Sequence, residues 1–141
     1  MSASHQAGCV AIDGRGLLIE GAPGTGKSSL ALALIDRGAR LVGDDGVLLS
    51  AREGMLVAAP HPNTSGRIEV RNVGLLEMPV SLPVPVALLV VLDPDAPRFV
   101  EKAEQVERAG VILPMLRLYP DSPVLALRAE LALRTHGLWI S

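Results

Sequence analysis

Short apolar runs, cut apart by glycine and proline, dominate the chain as far as Leu92. Runs of this length, rich in valine, leucine and isoleucine, predict strands at Gly8–Ile12, Leu17–Glu20, Arg40–Val42, Val47–Ser50, Met55–Ala59, Arg67–Val70 and Pro85–Leu92. Asp13-Gly14-Arg15-Gly16 between the first two predicts a hairpin. Many short strands at close spacing favour much antiparallel pairing, because a purely parallel sheet would need more crossover helices. Helical signals appear in three places. From about Gly26 to Arg37 the residues Leu30, Ala31, Leu32, Ala33, Leu34 and Ile35 are apolar on all sides, which predicts a buried helix ended by Gly38. A second helix is predicted after Asp95 as N-cap, through Phe99, Val100, Ala103 and Val106 to Gly110, with Glu104 and Arg108 paired at i,i+4. A third would take Ser122 as N-cap, Pro123 at its first position and Gly137 past its last turn, with Leu127 and Leu131 on one face.

Length and composition narrow the class. The chain has 141 residues, the size of one domain, so 1–141 is expected to be a single unit. Hydrophobic residues at 49% against 20% charged describe a globular core and not a disordered segment. A net charge of −2 offers no basic footprint for nucleic acid or an anionic membrane. The lone cysteine, Cys9, excludes an internal disulfide and a multi-cysteine zinc site, and reads as a small core residue. Met78–Leu92 is uncharged but interrupted by Pro79, Pro83 and Pro85, and reads as a loop feeding a buried strand rather than a membrane helix. MSASHQAG lacks the basic and apolar regions of a signal peptide, so the expected location is the cytoplasm. Positive mean hydropathy points to buried subunit contacts.

Gly21, Ala22, Pro23, Gly24, Thr25, Gly26, Lys27 and Ser28 match G-x-x-x-x-G-K-[ST], with Ser29 following, between a predicted strand and a predicted helix. The chemistry of this pattern is phosphate binding. Glycines let successive N–H groups turn inward toward phosphate oxygens, and the helix N-terminus adds partial positive charge. Lys27 would reach the β- and γ-phosphates and the Ser28 hydroxyl would ligate Mg²⁺. A nucleotide with Mg²⁺ is therefore the expected ligand.

Acidic partners for such a loop are several. Asp44 and Asp45 follow a short apolar strand that would return beside the loop, where a carboxylate can hold Mg²⁺ through water or take a proton from an attacking hydroxyl. The same Asp-Asp-Gly could equally be a solvated turn. Asp93, closing the apolar run Val86–Leu92, is a rival for the metal-proximal position, or else begins a turn with Pro94. In the strand around Arg67, Glu69 and Arg71 share a face, which could serve metal and phosphate or simply solvent. His5, His61 and His136 are isolated, and Phe99 and Trp139 read as packing residues.

The string from His5 through Gly-Leu-Leu-Ile-Glu-Gly-Ala-Pro-Gly-Thr-Gly-Lys-Ser to Arg-Gly-Ala-Arg-Leu-Val-Gly-Asp-Asp resembles the catalytic domain of HPr kinase/phosphorylase. Ile-Glu-Val-Arg-Asn-Val-Gly, Ile68 to Gly74, resembles that family's signature, with Asn72 in place of a glycine. The resemblance implies a phosphoenolpyruvate carboxykinase-like fold, a mixed sheet flanked by helices, in a short form lacking the N-terminal regulatory domain. It implies an ATP-dependent serine kinase of the phosphocarrier HPr, regulating the phosphotransferase system, with phosphorolysis as the reverse activity. By position, Lys27 would hold the transferred phosphate, Ser28 and Glu69 would bind Mg²⁺, and Asp45 would be general base, supported by Asp44 and His5. Arg71 lies in the signature, and Arg98 is the match for a later catalytic arginine. HPr as partner and a hexameric assembly follow from the same resemblance. Arg117-Leu-Tyr-Pro-Asp-Ser-Pro stands where the family carries a more basic loop tied to phosphorolysis, which favours the kinase direction. The alternative is a nucleotide-sensing regulatory module that binds ATP and transfers nothing.

Overall fold

A computed structural model describes residues 2–140. Strands β1 (Ser2–His5), β2 (Gly8–Ile12) and β3 (Arg15–Gly21) precede helix α1 (Lys27–Asp36). Then come β4 (Arg40–Gly43), β5 (Val47–Arg52), β6 (Met55–Pro60), β7 (Arg67–Val70), β8 (Gly74–Glu77) and β9 (Val84–Leu92). Strands β10 (Glu104–Arg108) and β11 (Val111–Leu118) and helix α2 (Leu125–His136) complete the order.

The large sheet runs β1-β5-β6-β9-β3-β2-β4, and β11 also pairs with β9 and carries β10. Only β3–β9 and β9–β11 are parallel among its ladders, so the expectation of largely antiparallel pairing holds. Strand β9 is the hinge of the design. One flank lies along β3; on the other, Val84 and Pro85 meet β6 while Leu89–Leu92 meet β11. The register shifts where Gly16 pairs with Val86 and Leu17 with Leu88, leaving Ala87 as the extra residue of a bulge.

Both faces of β9 are covered, so it feeds two cores, and the bulge shifts which residues face which. Val84 and Val86 belong to one cluster, with Cys9, Leu18, Val47, Leu56 and Leu113 inside the curl of the sheet. Beyond the bulge the alternation resets. Leu88, Val90 and Leu92 then join Leu17, Ile19, Leu30, Leu34 and Leu133 beneath the two helices. Cys9 is a core residue as expected, and burial pushes its thiol up to about 12.

The turn at Asp13-Gly14, with φ of 50° and 80°, closes the β2–β3 hairpin as predicted. Helix α1 falls as expected and stops at Gly38, whose φ is 112°. The helix expected after Asp95 does not form. Residues 94–103 are irregular, and 104–108 are strand β10, folded back on β11 across Ala109-Gly110 with φ of 50° and 82°. Glu104 and Arg108, paired at helical spacing by sequence, each bond elsewhere: Glu104 to Arg117 and Arg108 to Glu20. Helix α2 begins later than expected. Ser122 Oγ still accepts from the N–H of Val124 at 3.2 Å, immediately before the helix. Its buried face is Leu125, Ala129, Ala132 and Leu133, while Leu127 and Leu131 point outward. Phe99 and Trp139 are not packing residues: they are 80% and 93% exposed. No described helix is long and apolar enough to cross a membrane.

Candidate active site

Strand β3 delivers the glycine-rich loop and α1 opens from it. Gly24 and Gly26 take φ of 82° and 97°, and nothing lies within 4 Å of where a side chain would begin, so their backbone faces open space. Thr25 Oγ1 donates to the Ala22 carbonyl at 2.7 Å, and Lys27 Nζ to the Gly21 carbonyl at 2.7 Å, which curls the loop on itself. Beside it lies a cavity of about 650 Å³. Gly24 through Ser29 form one wall; Glu69, Val70, Arg71, Asn72, Val73 and Gly74 form the other.

That second wall is the β7–β8 hairpin, a two-stranded sheet separate from the large one. Ile68 anchors it, fully buried in the cluster beneath the helices. Its alternation does what the sequence predicts: Ile68 points in, and Arg67 and Glu69 point out. Asn72, at the tip, has φ of 69°. The departure from the signature glycine is therefore conservative in physical terms, since asparagine is the side chain that best tolerates the left-handed region.

The adjacent carboxylates separate. Asp44 Oδ1 accepts from the Ser28 hydroxyl at 2.6 Å and Oδ2 from the Glu69 N–H at 3.0 Å, so Asp44 ties the loop's serine to the hairpin. Asp45 points elsewhere, into a hollow of about 390 Å³ shared with Ser4, His5, Gln6, His61 and Thr64. Gly43 allows a close approach of the chain to itself just before the two aspartates, because a Cβ there would collide with the Gly46 carbonyl and Val47.

Asp93 lies topologically beside the loop, since Leu92 of β9 pairs with Gly21 of β3. Its carboxylate is already engaged: Oδ1 accepts from the Asp95 N–H at 2.8 Å and Oδ2 from Arg117 at 3.2 Å. Among the two sequence readings of Asp93, the turn describes it. Arg98 is not brought to the loop. It lines a groove with Arg117, Tyr119, Arg128 and His136, between β11 and α2.

Sequence reasoning passed over Glu20, the last side chain before the glycine loop. Its Oε2 accepts from His5 Nε2 at 2.8 Å and from Arg108 Nε at 3.0 Å, while Oε1 accepts from Arg108 Nη2 at 2.8 Å. Burial raises its pKa, but the hydrogen bonds and charge of Arg108 and His5 outweigh that and hold the carboxyl below its ordinary value. The available signal was a carboxylate closing an otherwise apolar strand.

These features define a mixed α/β protein in which a curled sheet and two helices hold a glycine-lysine-serine loop against Asp44 and a short hairpin. A family profile described as the HPr Serine kinase C-terminal domain matches residues 1–81, and the chain belongs to that family. Curated relatives named HPr kinase/phosphorylase are 47% identical in Clostridium tetani and 49% identical in Clostridium acetobutylicum. Each match runs over 70 residues, half of this chain and 23% of the relative. A solved structure titled "Structure of the Hpr(Ser) kinase/phosphatase from Coxiella burnetii" superposes with a TM-score of 0.83 at 27% identity, covering 94% of each chain.

Proposed function

We propose that this chain is a serine kinase that moves the γ-phosphoryl group of ATP to the phosphocarrier HPr, and so regulates the phosphotransferase system from the cytoplasm. The observation that carries it is Asp44, hydrogen-bonded at once to the serine of the phosphate loop and to the backbone of the facing hairpin. The loop's open glycines suit oxyanions, and Ser28 with the Glu69 carboxylate on the same cavity offers the hard oxygen donors a divalent cation takes. Magnesium, when bound there, would neutralise charge between the β- and γ-phosphate oxygens.

The chain's own groups divide the work. Backbone N–H groups of the loop hold the phosphates, and Lys27, released from the Gly21 carbonyl, turns to the γ-phosphate. Arg71, on the same cavity, adds positive charge from the hairpin side. The serine oxygen of HPr bonds to the γ-phosphorus as the bond to the bridging oxygen breaks; ADP leaves, and the serine proton passes to a carboxylate. Resemblance alone assigned that proton to Asp45. Both oxygens of Asp44 are taken by the Ser28 hydroxyl and the Glu69 N–H, so in this reading Asp44 holds the loop's serine in place, and Asp45, in the hollow it shares with His5, is kept as the base for the acceptor. Arg98, in a different groove, has no part in this reading. Phosphorolysis would run the same groups backward, but Arg117 is tied to Asp93 and Glu104, so the reading rests on the forward direction.

The test is the mass of HPr after incubation with the protein, ATP and Mg²⁺. One added phosphate on a serine is expected. ATP binding with unmodified HPr would favour a sensing module instead. Asp45→Asn should then lose on the order of 10³-fold in transfer with ATP binding largely kept; an active Asp45→Asn protein would remove Asp45 as the base.

A further inference from the structure

Glu20 belongs to none of the groups that bind phosphate, yet it sits where three distant segments meet. It closes β3 directly before the loop, and its carboxylate receives His5 from β1 and a forked Arg108 from β10. Its side chain is only 18% exposed. An ionised carboxylate can only accept, so His5 Nε2 must carry a hydrogen toward it. A bidentate guanidinium fixes the plane of the carboxylate, which in turn fixes the direction from which it can receive the imidazole. His5 also lines the hollow that contains Asp45 and His61, with His61 Nε2 at 3.2 Å from Ser4 Oγ. Among the described residues β1 is an edge strand paired with β5 on one side, and no second strand there restrains His5 on the other. The Glu20 contact supplies that restraint.

We infer that Glu20, steadied by Arg108, is a positioning residue that holds the His5 imidazole in place on the wall of the acceptor hollow. This rests on the phosphoryl-transfer reading above and extends it to a residue outside the recognised motifs. The linkage also gives the β10–β11 hairpin a role: it carries the guanidinium that steadies the contact. Misplacement of a positioned group by about 1 Å costs up to ~10² in rate. Glu20→Ala is therefore expected to lower kcat at least about tenfold. KM for ATP should stay within about twofold, because the phosphate cavity is lined by other residues. Glu20→Gln keeps an acceptor oxygen for His5 and should recover most of the loss.

The decisive measurement is a cycle with His5→Ala, supported by ring-nitrogen NMR of His5. If Glu20 acts through His5, Glu20→Ala adds nothing to kcat once His5 is gone, and in the single variant His5 no longer shows a fixed hydrogen on Nε2. Additive losses, an unchanged His5 spectrum, or a wild-type kcat in Glu20→Ala would each overturn the assignment. Should Glu20→Ala fail to fold, Arg108→Met leaves the carboxylate and removes its brace; an intermediate loss of kcat with the same His5 dependence is expected, and additivity there refutes it equally. If the wild-type protein phosphorylates nothing, the kinase reading fails, while the His5 spectrum still decides the positioning claim.

Discussion

The hairpin that carries Glu69 and Arg71 is attached to the rest of the molecule by very little, and Ile68 is the attachment most open to measurement. Among the described residues, strands β7 and β8 pair with each other and with no other strand. A two-stranded hairpin by itself is at best marginally stable in water. What docks it is the fully buried Ile68, the partly buried Val70, Leu76 and Met78 against the same cluster, and hydrogen bonds from Glu69 N–H to Asp44 and, just past β8, from Ser81 N–H to the Leu41 carbonyl. Ile68→Ala deletes the central anchor at a cost of about 3 kcal/mol, within the usual range for a buried isoleucine. If that cost falls on docking alone, the docked-to-undocked ratio drops roughly 150-fold. Amide hydrogen exchange would then show protection lost across 67–77 and retained in β3 and β9, and calorimetric titration would show weakened MgATP binding. Equal loss of protection throughout the sheet would refute the argument, because it would mean that the hairpin and the large sheet unfold as one unit. Unchanged protection in the hairpin would refute it from the other side.

Three further outcomes follow from particular contacts. Glu20 has a pKa held below its unfolded value, so its contribution to stability is present above about pH 4.5 and is lost as pH falls through the lower folded value. Urea midpoints measured from pH 6 to pH 3 should fall, and Glu20→Gln should flatten the fall. At the hairpin tip, Asn72→Gly should leave MgATP affinity unchanged, whereas Asn72→Val forces a branched side chain into the left-handed region at about 1–2 kcal/mol and should weaken binding measurably in the same titration. Asp93→Asn preserves the acceptor for the Asp95 N–H and gives up only a partly exposed ion pair, so kcat should stay within about twofold in the HPr assay; a large loss in a folded variant would restore Asp93 to the metal-binding role.

How much of this was legible in the sequence depended on the range of the interactions. The β2–β3 hairpin, the glycine loop and α1 are encoded locally, by Asp13-Gly14, by Gly24 and Gly26, and by Gly38, and each was placed closely. The segment after Asp95 misled because Phe99, Val100, Ala103 and Val106 genuinely fall at helical spacing. Tertiary pairing with β11 overrode that pattern, and the charges that looked like a helical pair went to partners on other strands. Strand β1, Ser-Ala-Ser-His, carries too few apolar residues to announce itself, and β8 is four residues whose adjacent leucines show no alternation; each is a strand because a neighbour offers a ladder. At the site, spacing brought forward both Asp44 and Asp45. Only the fold separates them, Asp44 onto Ser28 and the hairpin backbone and Asp45 into the hollow with His5, and only the curl of the sheet brings His5 and Arg108 to Glu20.

The two-sided pairing of β9 has a consequence for how the chain is made. Its ladders join Gly16 to Val86 and Leu89 to Met115, contacts between segments far apart in the chain, which makes for slow folding. As the polypeptide leaves the ribosome, β3 and β6 are available to β9 at once, but β11 is not yet synthesised. Until it arrives, Leu89–Leu92 presents an unpaired apolar edge, the kind of surface that recruits other strands. Nascent chains stalled before Val111 should therefore be the aggregation-prone and chaperone-bound species, and completion of β11 the event that releases them.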